Sequence, residues 1–208
     1  MADADFGLRM ALLEGHLRIG NALMEAGQKD NGLPHFGHPV QELYSDMAPY
    51  IAAHHGQQFD RDLIALEALA AGEGDTPRYR SAFAAVMQKV AAGRALIPAD
   101  RFNSDEYTLA LAADVCTSAS QEYRNAIIAG RVGSLVEYED ARGFMLYSSD
   151  LLANHRGSDP RLAQVSALND ELKHMVETLD PPQTIRGTPE DFEARAAAIR
   201  AVLKPTSP

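Results

Sequence analysis

Residues 134–155, SLVEYEDARGFMLYSSDLLANH, carry apolar side chains at nearly every angle of a 3.6-residue period. Leu135, Val136, Tyr138, Phe144, Met145, Leu146, Leu151 and Leu152 do not share one side. A helix that is apolar all round is buried on several sides, so this stretch calls for a bundle packed around it. The same stretch holds Glu137, Glu139, Asp140, Arg142 and Asp150. At least one of these charges should enter the interior, where it needs a partner, a ligand or a metal.

The remaining pattern is also helical. Phe6, Met10, Leu13, Leu17 and Met24 form one stripe of a first helix over about 5–26, with Leu12, His16, Ile19 and Leu23 beside it. Gly27 ends it, and residues 28–37 read as a loop. His38-Pro39 opens a second helix that Pro49 should kink or restart and that ends near His54-His55-Gly56. Further helices are expected over about 59–71, after the Thr76-Pro77 start, over about 104–129, over 134–155, after Asp159-Pro160, and after Thr188-Pro189. The link Gly130-Arg131-Val132-Gly133 is short enough to make the helices on either side antiparallel neighbours. No sustained period-two alternation appears. The expected fold is all-α: an up-and-down antiparallel bundle of about eight helices in short-looped hairpins, one domain over 1–208. The hairpins at 5–55 and 104–155 share an outline, with Glu42-Leu43-Tyr44 echoing Val136-Glu137-Tyr138, which suggests a weak duplication.

Charge and cysteine usage narrow the function. With 29 acidic and 19 basic side chains the net charge is −10, which disfavours a nucleic-acid backbone or an anionic membrane surface as the main partner. No apolar run reaches membrane-spanning length. Cys116 is the single cysteine and lies in a helical core stripe, which excludes an internal disulfide and thiolate-rich zinc sites and marks a packed, inert thiol. Met1-Ala2-Asp3-Ala4-Asp5 resembles a start residue placed before a processed, polar mature terminus. The expected location is therefore periplasmic, with a cytoplasmic start as the alternative.

The candidate chemistry is metal ligation. His38 and Glu42 stand i, i+4 on one helix face, and His16 and His38 each lie eleven residues from Gly27, so a hairpin can bring them level. Imidazole with carboxylate suits iron, zinc or copper. Five of the seven histidines fall between residues 16 and 55, which favours a shared site there. His35, His54 and His55 are expected at the surface, near loops. Glu137 and Asp140 are further candidate ligands, alongside a structural network in which Arg142 pairs with the carboxylates of Glu122, Glu137 or Asp140. No serine elbow, P-loop or dinucleotide fingerprint is present, so a non-enzymatic role is favoured.

The stretches LLEGHLRIGNALMEAG, HFGHPVQELYSDMAPYI and LVEYEDARGFM together resemble an imelysin-like bacterial group related to iron-regulated periplasmic proteins. In that group's GxHxxE pattern the histidine corresponds to His16, although Gly15 directly precedes it and Ile19 stands in the place of the glutamate. The resemblance implies an all-helical bundle, export across the inner membrane and a role in metal uptake. The resulting expectation is an exported metal-binding bundle acting in metal uptake or homeostasis, with a transition metal ion and a protein of an uptake system as partners. The alternative is a non-catalytic helical interaction module whose histidines are structural.

Overall fold

Helix starts follow the local chemistry. Thr76, Ser104 and Thr188 each stand just before a helix and accept a hydrogen bond from a backbone N–H in its first turn. Thr188 and Asp191 bond each other's backbone reciprocally, which satisfies two donors that a helix start would otherwise leave bare. The computed structural model describes residues 1–38 and 43–204, and of His38 the backbone alone. The chain divides into two compact units, residues 1–98 and 99–208.

The first unit is organised around α1 (Asp3–Glu25), where Phe6, Met10, Leu13, Leu17, Ile19 and Leu23 are fully buried. Two short helices, α2 (Lys29–Gly32) and α3 (Pro34–His38), return along it, followed by α4 (Ser45–Ala53), α5 (Asp60–Glu73) and α6 (Pro77–Arg94). Helix α1 packs against α2, α3, α4 and α6, while α5 lies between α3 and α6. Gly20 sets the spacing of α1 and α3: a Cβ there would meet the Phe36 ring at 3.0 Å and the His35 Cβ at 3.1 Å. Phe6 stacks on Tyr50 at 4.0 Å, and the Tyr50 hydroxyl donates to Asp3 Oδ1 at 2.8 Å, fixing the start of α1 to α4. Glu14 and Arg94 form an ion pair between α1 and α6, with 11% and 27% of their side chains exposed.

The second unit follows a short helix, α7 (Ala99–Phe102), and consists of four long helices: α8 (Asp105–Ala126), α9 (Leu135–Asn154), α10 (Arg161–Met175) and α11 (Pro189–Val202). Each packs against the next, and α11 closes back onto α8, so the unit is a four-helix bundle. Its core includes Leu109, Val115, Tyr123, Phe144, Met145, Val165, Leu172, Phe192 and Ile199. A polar knot sits among them. Ser148 Oγ donates to Asn169 Oδ1 at 2.6 Å, Asn169 Nδ2 donates to Ser149 Oγ at 2.9 Å, and the Cys116 thiol donates to Asn169 Oδ1 at 3.5 Å. Burial pushes the Cys116 thiol up to about 12, so it stays protonated and unreactive at neutral pH.

The fold is all-α, with the expected long helices present as α1, α4, α5, α6, α8, α9, α10 and α11. Two details differ from the sequence expectation. Residues expected as loops form α2, α3 and α7. Helix α8 ends at Ala126 rather than near 129, because β-branched Ile127 and Ile128 turn extended and pair with Arg131 and Val132 in a two-residue hairpin. Pro49 lies inside α4, and the helix start expected at His38-Pro39 runs into residues 39–42, which lie outside the described residues.

Candidate metal centre

The metal candidates divide between the two units, so each set stands in its own surroundings. In the first unit His16 projects from the middle of α1 with 6% exposure, as its place among leucines requires. Its Nδ1 lies 2.8 Å from the Leu12 carbonyl oxygen. A carbonyl only accepts, so Nδ1 carries the proton and a neutral ring keeps its lone pair on Nε2. Metal-ligating histidines are commonly held in this way, the second nitrogen donating to backbone or carboxylate. His38 is the last residue of α3; its side chain and all of Glu42 lie outside the described residues.

His35 corrects the sequence reading. It was expected at the surface, beside a glycine- and proline-rich loop, yet it is fully buried. Pro34 starts a helical turn instead of a loop, and that turn is pressed onto α1 at Gly20. The His35 and His16 ring centroids are 6.5 Å apart, their planes 42° apart. Glycine inside α1 was the available signal: it costs about 1 kcal/mol in a helix interior and often marks a close backbone approach. His54 and His55 are exposed, as expected; His54 stacks on Tyr50 at 3.9 Å.

In the second unit α9 carries the acidic candidates. Glu137 is half-buried in its first turn, whereas Asp140 is 2% exposed. Glu139, which the sequence did not favour as a ligand, is fully buried beside it. Arg142 differs from expectation in its partner: its Nε donates to the Glu177 backbone carbonyl at 3.3 Å. Burial lowers the Arg142 pKa from its ordinary value. Among the described residues no three His, Cys, Asp or Glu side chains come together as a set able to hold a metal ion.

A second polar cluster in this unit escaped sequence reading altogether. His155 Nε2 donates to Asp105 Oδ1 at 2.5 Å, and its Nδ1 accepts from the Thr108 hydroxyl at 3.1 Å. Asp105 Oδ2 accepts from the backbone N–H groups of Asp159 at 2.9 Å and Ser158 at 3.2 Å. The His155 hydrogen bond, then those backbone donors, hold the Asp105 carboxyl below its ordinary value of 3.8. Gly157 leaves room for this pair, since a Cβ would fall 1.8 Å from Asp105 Oδ1 and would have to displace it. Although hydroxyl, imidazole and carboxylate stand in series, Thr108 is 1% exposed and reaches no substrate. The cluster ties the segment after α9 to the start of α8. Sequence offered no signal, because the partners lie 50 residues apart.

The family model of an iron permease-associated 4-helix bundle domain matches residues 98–208. No curated protein and no solved structure matches the chain. The matched family corrects the partner expectation. That expectation set the membrane aside and paired a chain without a spanning segment with a metal ion and a protein of an uptake system. The family is instead associated with an iron permease, a membrane protein. No helix among the described residues is long and apolar enough to cross a membrane.

Proposed function

The chain belongs to the iron permease-associated 4-helix bundle family, and from that premise we propose that it is an exported metal-binding protein of permease-linked iron uptake. One observation carries the reading. The family match at residues 98–208 and the four-helix unit at residues 99–208 begin within one residue of each other, so the matched segment is a complete bundle. Iron-permease-related metal uptake is the context that the family supplies. The periplasmic side of the membrane is where such a chain would meet incoming metal, in keeping with the export that the imelysin-like resemblance implies.

The metal is cargo, a transition cation such as iron. Two separate candidate ligand sets are put forward, His16, His38 and Glu42 within the first unit and Glu137 with Asp140 within the second. The donor chemistry fits, since imidazole and carboxylate are the groups that iron, zinc and copper take from proteins. The test is calorimetry on the full chain stripped of metal, titrated without oxygen with iron(II), and then with zinc and copper. At least one cation should bind with a dissociation constant of about 1 μM or tighter. A chain that binds none, and that fractionates with the cytosol of its host, ends the proposal.

A further inference from the structure

A groove of about 530 Å³ runs between α8 and α11 of the second unit, a volume in the range of small-molecule sites. Each helix lines it with residues at the helical spacing of three and four, from Thr117 to Arg124 and from Glu193 to Arg200. The two helices are bridged at both ends of it. Arg124 pairs with Glu193 at one end. At the other, Arg200 Nε donates to Thr117 Oγ1 at 2.9 Å and its Nη2 to Asp114 Oδ1 at 2.8 Å. Seven residues of helix separate the two bridges, roughly 10 Å. Between them lie Ala196, 4% exposed, and Ser120, 7% exposed.

Ser120 points to a ligand. Its neighbours Thr117 and Ser118 return their hydroxyls to the Ala113 and Asp114 carbonyls. The Ser120 hydroxyl makes no such bond and has no hydrogen-bond partner among the described residues, although it is more than nine-tenths buried and lines the groove. A hydroxyl removed from bulk water is costly unless another polar group meets it, and the groove is where one can reach it. The charges define that group. The chain carries −10 overall, yet the charged residues lining the groove are two arginines and one glutamate. Both arginine side chains are about half-exposed, and ion pairs of that kind contribute little, so a ligand can take the place of Glu193. A guanidinium has five N–H donors; Arg124 commits one nitrogen and Arg200 two, which leaves N–H groups of both for a ligand.

We infer that this groove binds a small dicarboxylate, with one carboxylate on Arg124, the other on Arg200 and the middle of the molecule over Ala196, where a ligand hydroxyl meets Ser120. Guanidinium suits the task because it holds a carboxylate through two parallel N–H···O bonds. The site lies wholly within the second unit and does not rest on the metal-binding reading above.

The experiment is calorimetry on the metal-free full chain titrated with malate, with succinate, acetate and inorganic phosphate as comparisons. Malate should bind at one equivalent with a dissociation constant of about 0.1 mM or tighter. Succinate, which lacks the hydroxyl, should bind several-fold more weakly, and acetate and phosphate about tenfold more weakly or worse. Arg124→Gln and Arg200→Gln should each weaken malate by about tenfold or more. Ser120→Ala should erase the advantage of malate over succinate, and Ala196→Leu, which fills the groove, should abolish binding. Thermal unfolding followed by circular dichroism reports whether each variant is folded; where one is not, the arginine Nε–H signals of the wild-type chain decide, because malate should shift those of Arg124 and Arg200. No binding of malate, phosphate bound as tightly as malate, or malate affinity unchanged in both folded arginine variants overturns the inference. So does a wild-type chain that sediments as a dimer and an Ala196→Leu chain that sediments as a monomer, since a second copy would then fill the groove. None of these outcomes bears on the metal titration, which tests the proposed function separately.

Discussion

The polar knot in the four-helix bundle gives the sharpest energetic prediction. Asn169, 1% exposed, accepts from Ser148 and Cys116 and donates to Ser149, linking α8, α9 and α10 through one side chain. Asn169→Ala removes the acceptor of the buried Ser148 hydroxyl, whose remaining neighbour is the Cys116 sulfur at 3.7 Å. Stranding a buried hydroxyl costs about 1–3 kcal/mol. The three missing heavy atoms leave a small void, worth about 1 kcal/mol more. The expected loss is therefore about 2–4 kcal/mol, a fall in melting temperature of roughly 5–15 °C for a chain of this length. Urea unfolding of the full chain measures it directly. A second variant isolates the cause. Asn169→Leu alone should also destabilise, but Asn169→Leu with Ser148→Ala replaces donor and acceptor together by apolar groups and should recover about 1–2 kcal/mol of the loss. Strict additivity of the two substitutions, or an Asn169→Ala cost below about 0.5 kcal/mol, would refute the account of the knot as a coupled, desolvated network.

Three further outcomes follow from named geometry. Gly157→Ala should displace Asp105 from His155, so its melting temperature falls and adding Asp105→Ala lowers it little further. Asp105 and Asp191 both titrate below their ordinary 3.8, through bonds from His155 and from Thr188 respectively. A carboxyl depressed by folding stabilises the fold above the unfolded value, and that contribution is lost as pH falls through the folded one, so urea midpoints should drop between about pH 5 and pH 2. Asp105→Asn should flatten part of that slope. Ala129 sits at φ 53° in the hairpin turn, where a Cβ is strained, so Ala129→Gly should raise stability by up to about 1 kcal/mol in the same unfolding assay.

Much of the helical skeleton was readable because its signals are local. The apolar steps from Phe6 to Met24 and the starts at Thr76-Pro77, Ser104 and Thr188-Pro189 concern residues within a few turns of one another. What escaped were contacts made across the fold. Asn169 reads as a polar position on an exposed helix until α8 and α9 are seen to supply Cys116 and Ser148. Asp105 reads as an ordinary first-turn acid, since nothing near it in sequence announces His155. Ile127 and Ile128 extend the apolar run of α8, and only the left-handed pair Ala129 and Gly130 betrays a hairpin there.

The histidines show the same division applied to function. Burial of His16 follows from its own helix, because Leu12, Leu13 and Ile19 lie three or four residues away, and periodicity reports that directly. Burial of His35 follows from a different helix: a glycine at position 20 removes the side chain that would have kept α3 at a distance. A loop rich in glycine and proline is expected at the surface, since buried backbone without partners is costly. That cost disappears once Pro34 begins a helical turn whose N–H and C=O groups bond locally, as from Phe36 N–H to the Leu33 carbonyl at 3.1 Å. A buried imidazole pair then arises from two substitution-sensitive features, a helix-starting proline and a mid-helix glycine, neither of which carries any metal chemistry of its own. Gly20→Ala is thus expected to press a methyl group against the Phe36 ring and the His35 Cβ, so it should push α3 away from α1 and lower the melting temperature while leaving both histidines in the sequence.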